Sequence, residues 1–230
     1  MAIIYEADLS PTKLEAISRW LPQQAWAGLS DQPQLELVSS YRFDDPAGEV
    51  GAEVHLVRAA DCPERLIQVP LTYRPAPVPD LEAALVSQMD HSILGRRWIY
   101  DGTADPVFAA ELLRSIVESD TSADEWVQKD SGEERRDDVA EARGTGAPGV
   151  HLGTGPAGAA GGSGPRALPA VQETDGAALI AFDGHRIALF RFPEAAGGDA
   201  LSAESHALRV RLPEGQGAPA GELLAARLLD

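Results

Sequence analysis

Near residue 120 the chain changes character. From Glu118 to Arg143 it carries ten acidic and four basic side chains, and from Gly144 to Pro169 it is dominated by Gly, Ala and Pro. Neither stretch has hydrophobic periodicity, and a segment that buries no apolar area cannot offset an ordering entropy of roughly 1–2 kcal/mol per residue. Residues 121–175 are therefore expected to form a disordered linker between a folded unit at 1–120 and a C-terminal hairpin and tail at 176–230 that packs on it. Trp126 and Val127 interrupt the linker, and a short docking helix around Trp126 is the alternative to solvated chain there.

The first unit reads as regular structure. Ser10-Pro11 is a helix start, a hydroxyl cap followed by a proline where no hydrogen bond is lost. Leu14, Ile17 and Leu21 share one helical face, and Pro22 ends the helix. Leu35–Phe43 alternates as a strand that places Leu35, Leu37, Tyr41 and Phe43 on one side. Asp44–Gly48 is turn chemistry, and Glu49–Arg58 returns as a second strand with Val50, Val54 and Leu56 facing one way. Arg65–Tyr73 is a third strand in the meander, where Pro70 lacks a donor and argues for an edge or a bulge. Asp80 can cap a short helix through Leu81, Ala84 and Leu85. His91–Gly102 reads as a turn feeding a fourth strand, and Asp105-Pro106 caps a helix striped by Phe108, Leu112 and Ile116 that ends near Ser119.

In the tail, Ala177–Phe182 and His185–Phe192 flank Asp183-Gly184, the signal for a two-residue hairpin turn. That hairpin is expected to complete the sheet of the first unit. Leu208–Leu212 adds a strand and Gly221–Leu229 a short terminal helix. The fold class is α+β, an antiparallel sheet packed on helices.

The formal net charge of −17 disfavours nucleic acid and anionic membrane surfaces as partners, because affinity for both rests on Lys and Arg. The start of the sequence lacks a basic region followed by an apolar run, so no secretory signal is expected. No stretch approaches the roughly 20 apolar residues of a membrane span. Cys62 is the single cysteine, which excludes an intramolecular disulfide and fits a reducing compartment; the expected location is the cytoplasm.

The five histidines are scattered without HExxH or CxxC spacing, so no metal is expected, and no cofactor either. Cys62 precedes a proline in a turn and reads as an ordinary surface thiol. Gly162-Ser163-Gly164 lacks the GxSxG frame, and the glycines around it lack the strand and helix of a phosphate loop. The densest polar and aromatic group is Gly95–Asp101. Strand alternation sends Arg97, Ile99 and Asp101 one way and Arg96, Trp98 and Tyr100 the other. These residues form either a surface for sugar hydroxyls or anions, or a pair of core aromatics with locally paired charges. Tyr73 and Arg74 at the end of the third strand are a second candidate, or cover the sheet edge.

Four blocks carry a family resemblance: Ser10–Glu15 leading to Trp20-Leu21-Pro22, Phe43–Gly51, Val69–Arg74 and Leu94–Gly102. Together they resemble stand-alone actinobacterial proteins of the maltokinase N-terminal cap-like type, over about residues 1–118. The resemblance implies a curved, cystatin-like antiparallel sheet around a helix. It does not carry kinase activity with it. Such kinases anchor ATP phosphates with a strand lysine, whereas the only lysines here, Lys13 and Lys129, lie in the first helix and the acidic segment. The tail Ala181–Arg191 loosely resembles the first hairpin of the kinase lobe, with Ala188 where the lysine would fall, and no HGDxHxxN-like loop follows. The implied function is a non-catalytic accessory or interaction module of maltose, trehalose and glycogen metabolism, its partner a sugar kinase or another enzyme of that pathway. The alternatives are a glycan-binding module, or a cap fragment that completes a kinase encoded separately.

Overall fold

The computed structural model describes residues 2–4, 7–129, 132–147, 167–195, 206–214 and 221–229. In chain order the elements are β1 (Ala2–Ile4), β2 (Leu9–Ser10), α1 (Lys13–Trp20), β3 (Leu35–Phe43), β4 (Gly51–Ala59), β5 (Cys62–Arg74), β6 (Leu85–His91), β7 (Gly95–Asp101) and α2 (Pro106–Glu118). They continue with β8 (Glu125–Lys129), β9 (Gly132–Arg135), β10 (Glu141–Gly144), β11 (Ala170–Glu173), β12 (Ala177–Phe182), β13 (His185–Ala195), β14 (Ala207–Arg211) and β15 (Glu222–Leu228). The class is α+β, with a curled sheet. That first six-stranded antiparallel sheet runs β2-β6-β7-β5-β4-β3, and a second runs β10-β14-β15-β13-β12-β11. A ribbon of β1, β8 and β9 stands apart, with β1 parallel to β8.

Both faces of the curled sheet are covered. Ala16, Ile17, Trp20 and Leu21 from α1 and the turn after it pack on Val57, Ile67, Val69, Leu71 and Ile99. On the opposite face, Phe108, Leu112 and Ile116 of α2 meet Tyr41, Val54 and Leu56, together with Ile180, Leu189 and Val210 of the second sheet. Helix α2 is thus a wedge between two sheets that share one core. Gln68 joins the sheets directly: fully buried on β5, it accepts from the Tyr41 hydroxyl and donates to the carbonyls of Phe190 and Ala225.

Local signals fared well where the chemistry was local. Asp105 caps α2 by accepting from the Val107 N–H, Pro106 opens the helix, and Ser119 closes it in the left-handed region. Asp183 and Gly184, both at positive φ, turn β12 into β13 with Phe182 opposite His185. Helix α1 is capped two residues later than expected, by Thr12 in a reciprocal box with Glu15, while Ser10 belongs to β2.

Four expectations are corrected by tertiary context. A bulge between Leu37 and Ser39 moves β3 from one face to the other, so Leu35 packs beside α1, Leu37 stays exposed, and Tyr41 and Phe43 enter the opposite core. Strand β5 is central rather than an edge, and Pro70 sits just past Leu71, where pairing with β7 ends. The hairpin of β12 and β13 builds a second sheet instead of completing the first. The segment expected as a terminal helix is instead β15, because the gap between β13 and β14 satisfies its backbone on both sides and takes its small Ala225 and Ala226.

The acidic segment is also not free chain. Ala123 donates to the Arg42 carbonyl and Ala140 to the Ser40 carbonyl, so it lies along the open edge of β3 before β10 pairs with β14. Ala140 and Ala142 are buried. Trp126 lies in β8, not in a helix. Periodicity missed this because the segment is held by backbone hydrogen bonds and small side chains. Residues 170–173, also expected as linker, pair as β11 with β12. The Gly-rich run at 148–166 lies outside the described residues.

Candidate functional site

The seven sequence candidates are separated by the sheet. Arg96 is exposed and bonds Asp90 at 3.2 Å. Trp98 is half-buried, and Tyr100 is a core ring whose hydroxyl accepts from the Val78 N–H at 2.9 Å. Arg74 makes two bonds of 2.7 Å to Asp105, which fixes the start of α2. Asp101 accepts from the Thr103 N–H and hydroxyl and from Arg191 at 2.7 Å. These five have structural or surface roles. Only Arg97 and Tyr73 face a common cavity, so the aromatic constellation of β7 does not assemble as one ligand surface.

That cavity, roughly 590 Å³, is built by the curl of the sheet. Lys13 at the start of α1 forms one rim, the Asp44–Gly48 turn a second, and His91 and Leu94 of the β6–β7 turn a third. Arg42, Glu53 and Tyr73 come from adjacent strands β3, β4 and β5. Lys13 Nζ meets Glu53 at 2.5 Å and stands 5.4 Å from the Tyr73 ring centroid. His91 Nδ1 accepts from the Ile93 and Leu94 N–H groups, which leaves its proton on Nε2 as a donor.

A buried charged group extends beneath the cavity floor. Burial opposes ionisation of Glu53, yet Lys13, His55 and Arg42 hold its carboxyl well below the usual carboxylate range. His55 Nε2 lies 3.4 Å from Glu53, and burial nevertheless pushes its pKa down to about 4 against the pull of that carboxylate. Burial pushes Glu125 upward, with Glu53 adding to the shift, while Arg136 pairs with it at 3.1 Å. The His55 shift has a measurable consequence. Between pH 6.5 and about 4 the unfolded chain binds a proton that folded His55 does not, so stability falls on acidification through that window. The loss approaches about 3 kcal/mol at its lower end. Urea midpoints from pH 7 to 4 are expected to show this slope in the parent and a flatter one in His55→Leu; equal slopes would contradict the assignment.

Sequence reasoning missed Lys13, Arg42, Glu53 and His91. A signal was present in Glu53 and His55, which alternate with Val54 and Leu56 on a strand that proves buried on both faces. Among the described residues no group of His, Cys, Asp and Glu is placed to hold a metal ion. Cys62 Sγ bonds Glu64 at 3.1 Å, and that contact pushes its pKa up. No described helix is long and apolar enough to cross a membrane.

Comparison with known proteins adds one match. Residues 20–105 fit the family model of the maltokinase N-terminal cap domain, which spans the chain from the end of α1 through β7 to the cap of α2. That stretch is similar to the cap domain, and the second sheet lies outside the match. No curated protein matches the chain.

Proposed function

We propose, from the match of residues 20–105 to the maltokinase N-terminal cap domain, that this chain is a non-catalytic accessory module whose cap-like part engages a sugar kinase of maltose, trehalose or glycogen metabolism. The family match carries the reading, and the pathway rests on that analogy. One surface feature supports it. The turn between β6 and β7 presents Ile93 and Leu94, 54% and 46% exposed, beside the exposed Arg96. Apolar side chains at a hairpin tip with an adjacent arginine are the composition from which protein contacts are made.

The test is affinity purification of the intact protein from its native host. A sugar kinase or glycogen enzyme is expected to co-elute, and Ile93→Asp with Leu94→Asp is expected to abolish co-elution while leaving the thermal midpoint in place. Recovery of the protein alone would overturn the reading.

A further inference from the structure

We infer that the cavity between α1 and the curled sheet is a receptor site for a small oxyanion, a phosphomonoester or carboxylate borne on a body of about monosaccharide size. This goes beyond the docking reading, rests on the charged interior of the cavity rather than on the hairpin tip, shares only Leu94 of its rim with that reading, and fails independently of it. The lining of the cavity brings Lys13, Arg42, Arg97 and His91 together with the acids Asp44, Asp45, Glu49 and Glu53. What matters is which of the charges there are already engaged.

Three of the four acids are engaged. Glu53 is held by Lys13, and Asp45 accepts the N–H groups of Ala47, Glu49 and Val50. Asp44 also has a partner, and Glu49 is an exposed side chain of the turn. The donors are not. Among the described residues no carboxylate lies within ion-pair distance of Arg97 or Arg42, and the buried Nε of Arg42 has no hydrogen-bond partner. The Tyr73 hydroxyl is buried and likewise without a partner. His91 adds its Nε2–H, with burial and the nearby Arg97 keeping the ring neutral.

Two guanidinium groups, a phenol and an imidazole N–H around one space call for acceptors carrying negative charge. An uncharged sugar would supply acceptors but leave Arg97 without a counter-charge. Leu9, Val50 and Met89 complete the lining and offer apolar contact to the rest of the molecule. At roughly 590 Å³ the space lies within the range of about 300–1,000 Å³ typical of small-molecule sites.

Isothermal titration of the intact protein with glucose 6-phosphate, glucuronate, inorganic phosphate and neutral maltose tests this. At least one of the two sugar anions is expected to bind at sub-millimolar concentration, more tightly than maltose; the tighter of the pair identifies phosphate or carboxylate as the preferred head group. Arg97→Ala, at a half-exposed position, is expected to weaken that binding about ten- to hundredfold with an unchanged thermal midpoint, and Arg97→Lys to recover part of it. Tyr73→Phe is expected to weaken it several-fold. Absence of heat with both sugar anions up to about 10 mM, maltose binding as tightly as either, or unchanged affinity in Arg97→Ala overturns the inference.

Discussion

Replacing Arg191 by methionine is expected to lower the free energy of unfolding by about 3–5 kcal/mol, the range for removing one partner of a buried ion pair. Arg191 is on β13 in the second sheet and is fully buried. Its guanidinium reaches Asp101 at the end of β7 and Glu173 on β11, at 2.7 and 2.5 Å, and lies 4.4 Å from the Trp26 ring centroid. Trp26 in turn packs edge-on against Trp20 of α1 and Phe192 of β13. One cation thus ties the curled sheet, the second sheet and the loop after α1. Methionine keeps much of the stem's volume, so the loss reports mainly on the stranded carboxylates. Denaturant titration of Arg191→Met, Asp101→Asn and the double variant measures it. Strong non-additivity is expected, because once Arg191 is gone the buried Asp101 charge keeps only its hydrogen bonds from Thr103 and no counter-charge. A loss under about 1 kcal/mol, or simple additivity, would show that the clamp is not what holds the sheets together.

Substituting Gly144 by alanine is expected to destabilise by about 3 kcal/mol or to prevent folding, at or beyond the upper end of overpacking costs. A methyl group at Gly144 would stand 1.8 Å from the Ser115 carbonyl oxygen, and one at Gly146 would stand 2.0 Å from that of Val117. These are backbone atoms of the last turns of α2, so a rotamer change cannot relieve them. The close approach has a purpose: Gly146 donates to the Ile116 carbonyl and Gly144 to that of Asp120, satisfying groups at a helix end that would otherwise be stranded. Gly176 serves as the comparison, since a methyl there meets only Phe192 at 4.0 Å, and its alanine variant is expected to stay within about 0.5 kcal/mol of the parent. Were residues 121–147 unstructured chain, both variants would be silent. Equal midpoints for Gly144→Ala and Gly176→Ala would therefore reject the placement of this segment against α2.

Reading the candidate site from sequence succeeded for individual residues and failed for their grouping. Arg97 and Tyr73 were visible as polar and aromatic positions near strand ends, and both line the cavity. Their neighbours Arg96, Trp98, Tyr100 and Arg74 were visible for the same reason but lie elsewhere, because side chains in a strand alternate between faces. Lys13 and Arg42 gave no signal at all. A lysine on a helix and an arginine in a strand become site residues only when the sheet curls to bring β3 opposite α1.

By itself, the sequence determined what a few neighbouring residues can settle. Asp105-Pro106 starts α2, Asp183-Gly184 turns the hairpin, and the apolar stripes of α1 and α2 choose the faces they bury. In each case the partner is within a turn or two, so the energy of the choice is written locally. Tertiary structure alone decided the bulge of β3, the strand state of Glu222–Leu228, the ordering of the segment after α2 and the assembly of the cavity. There the deciding partners are strand edges, helix carbonyls and side chains far away in the chain. The backbone hydrogen bonds and buried charges that fix them leave no periodic trace in the residues that depend on them.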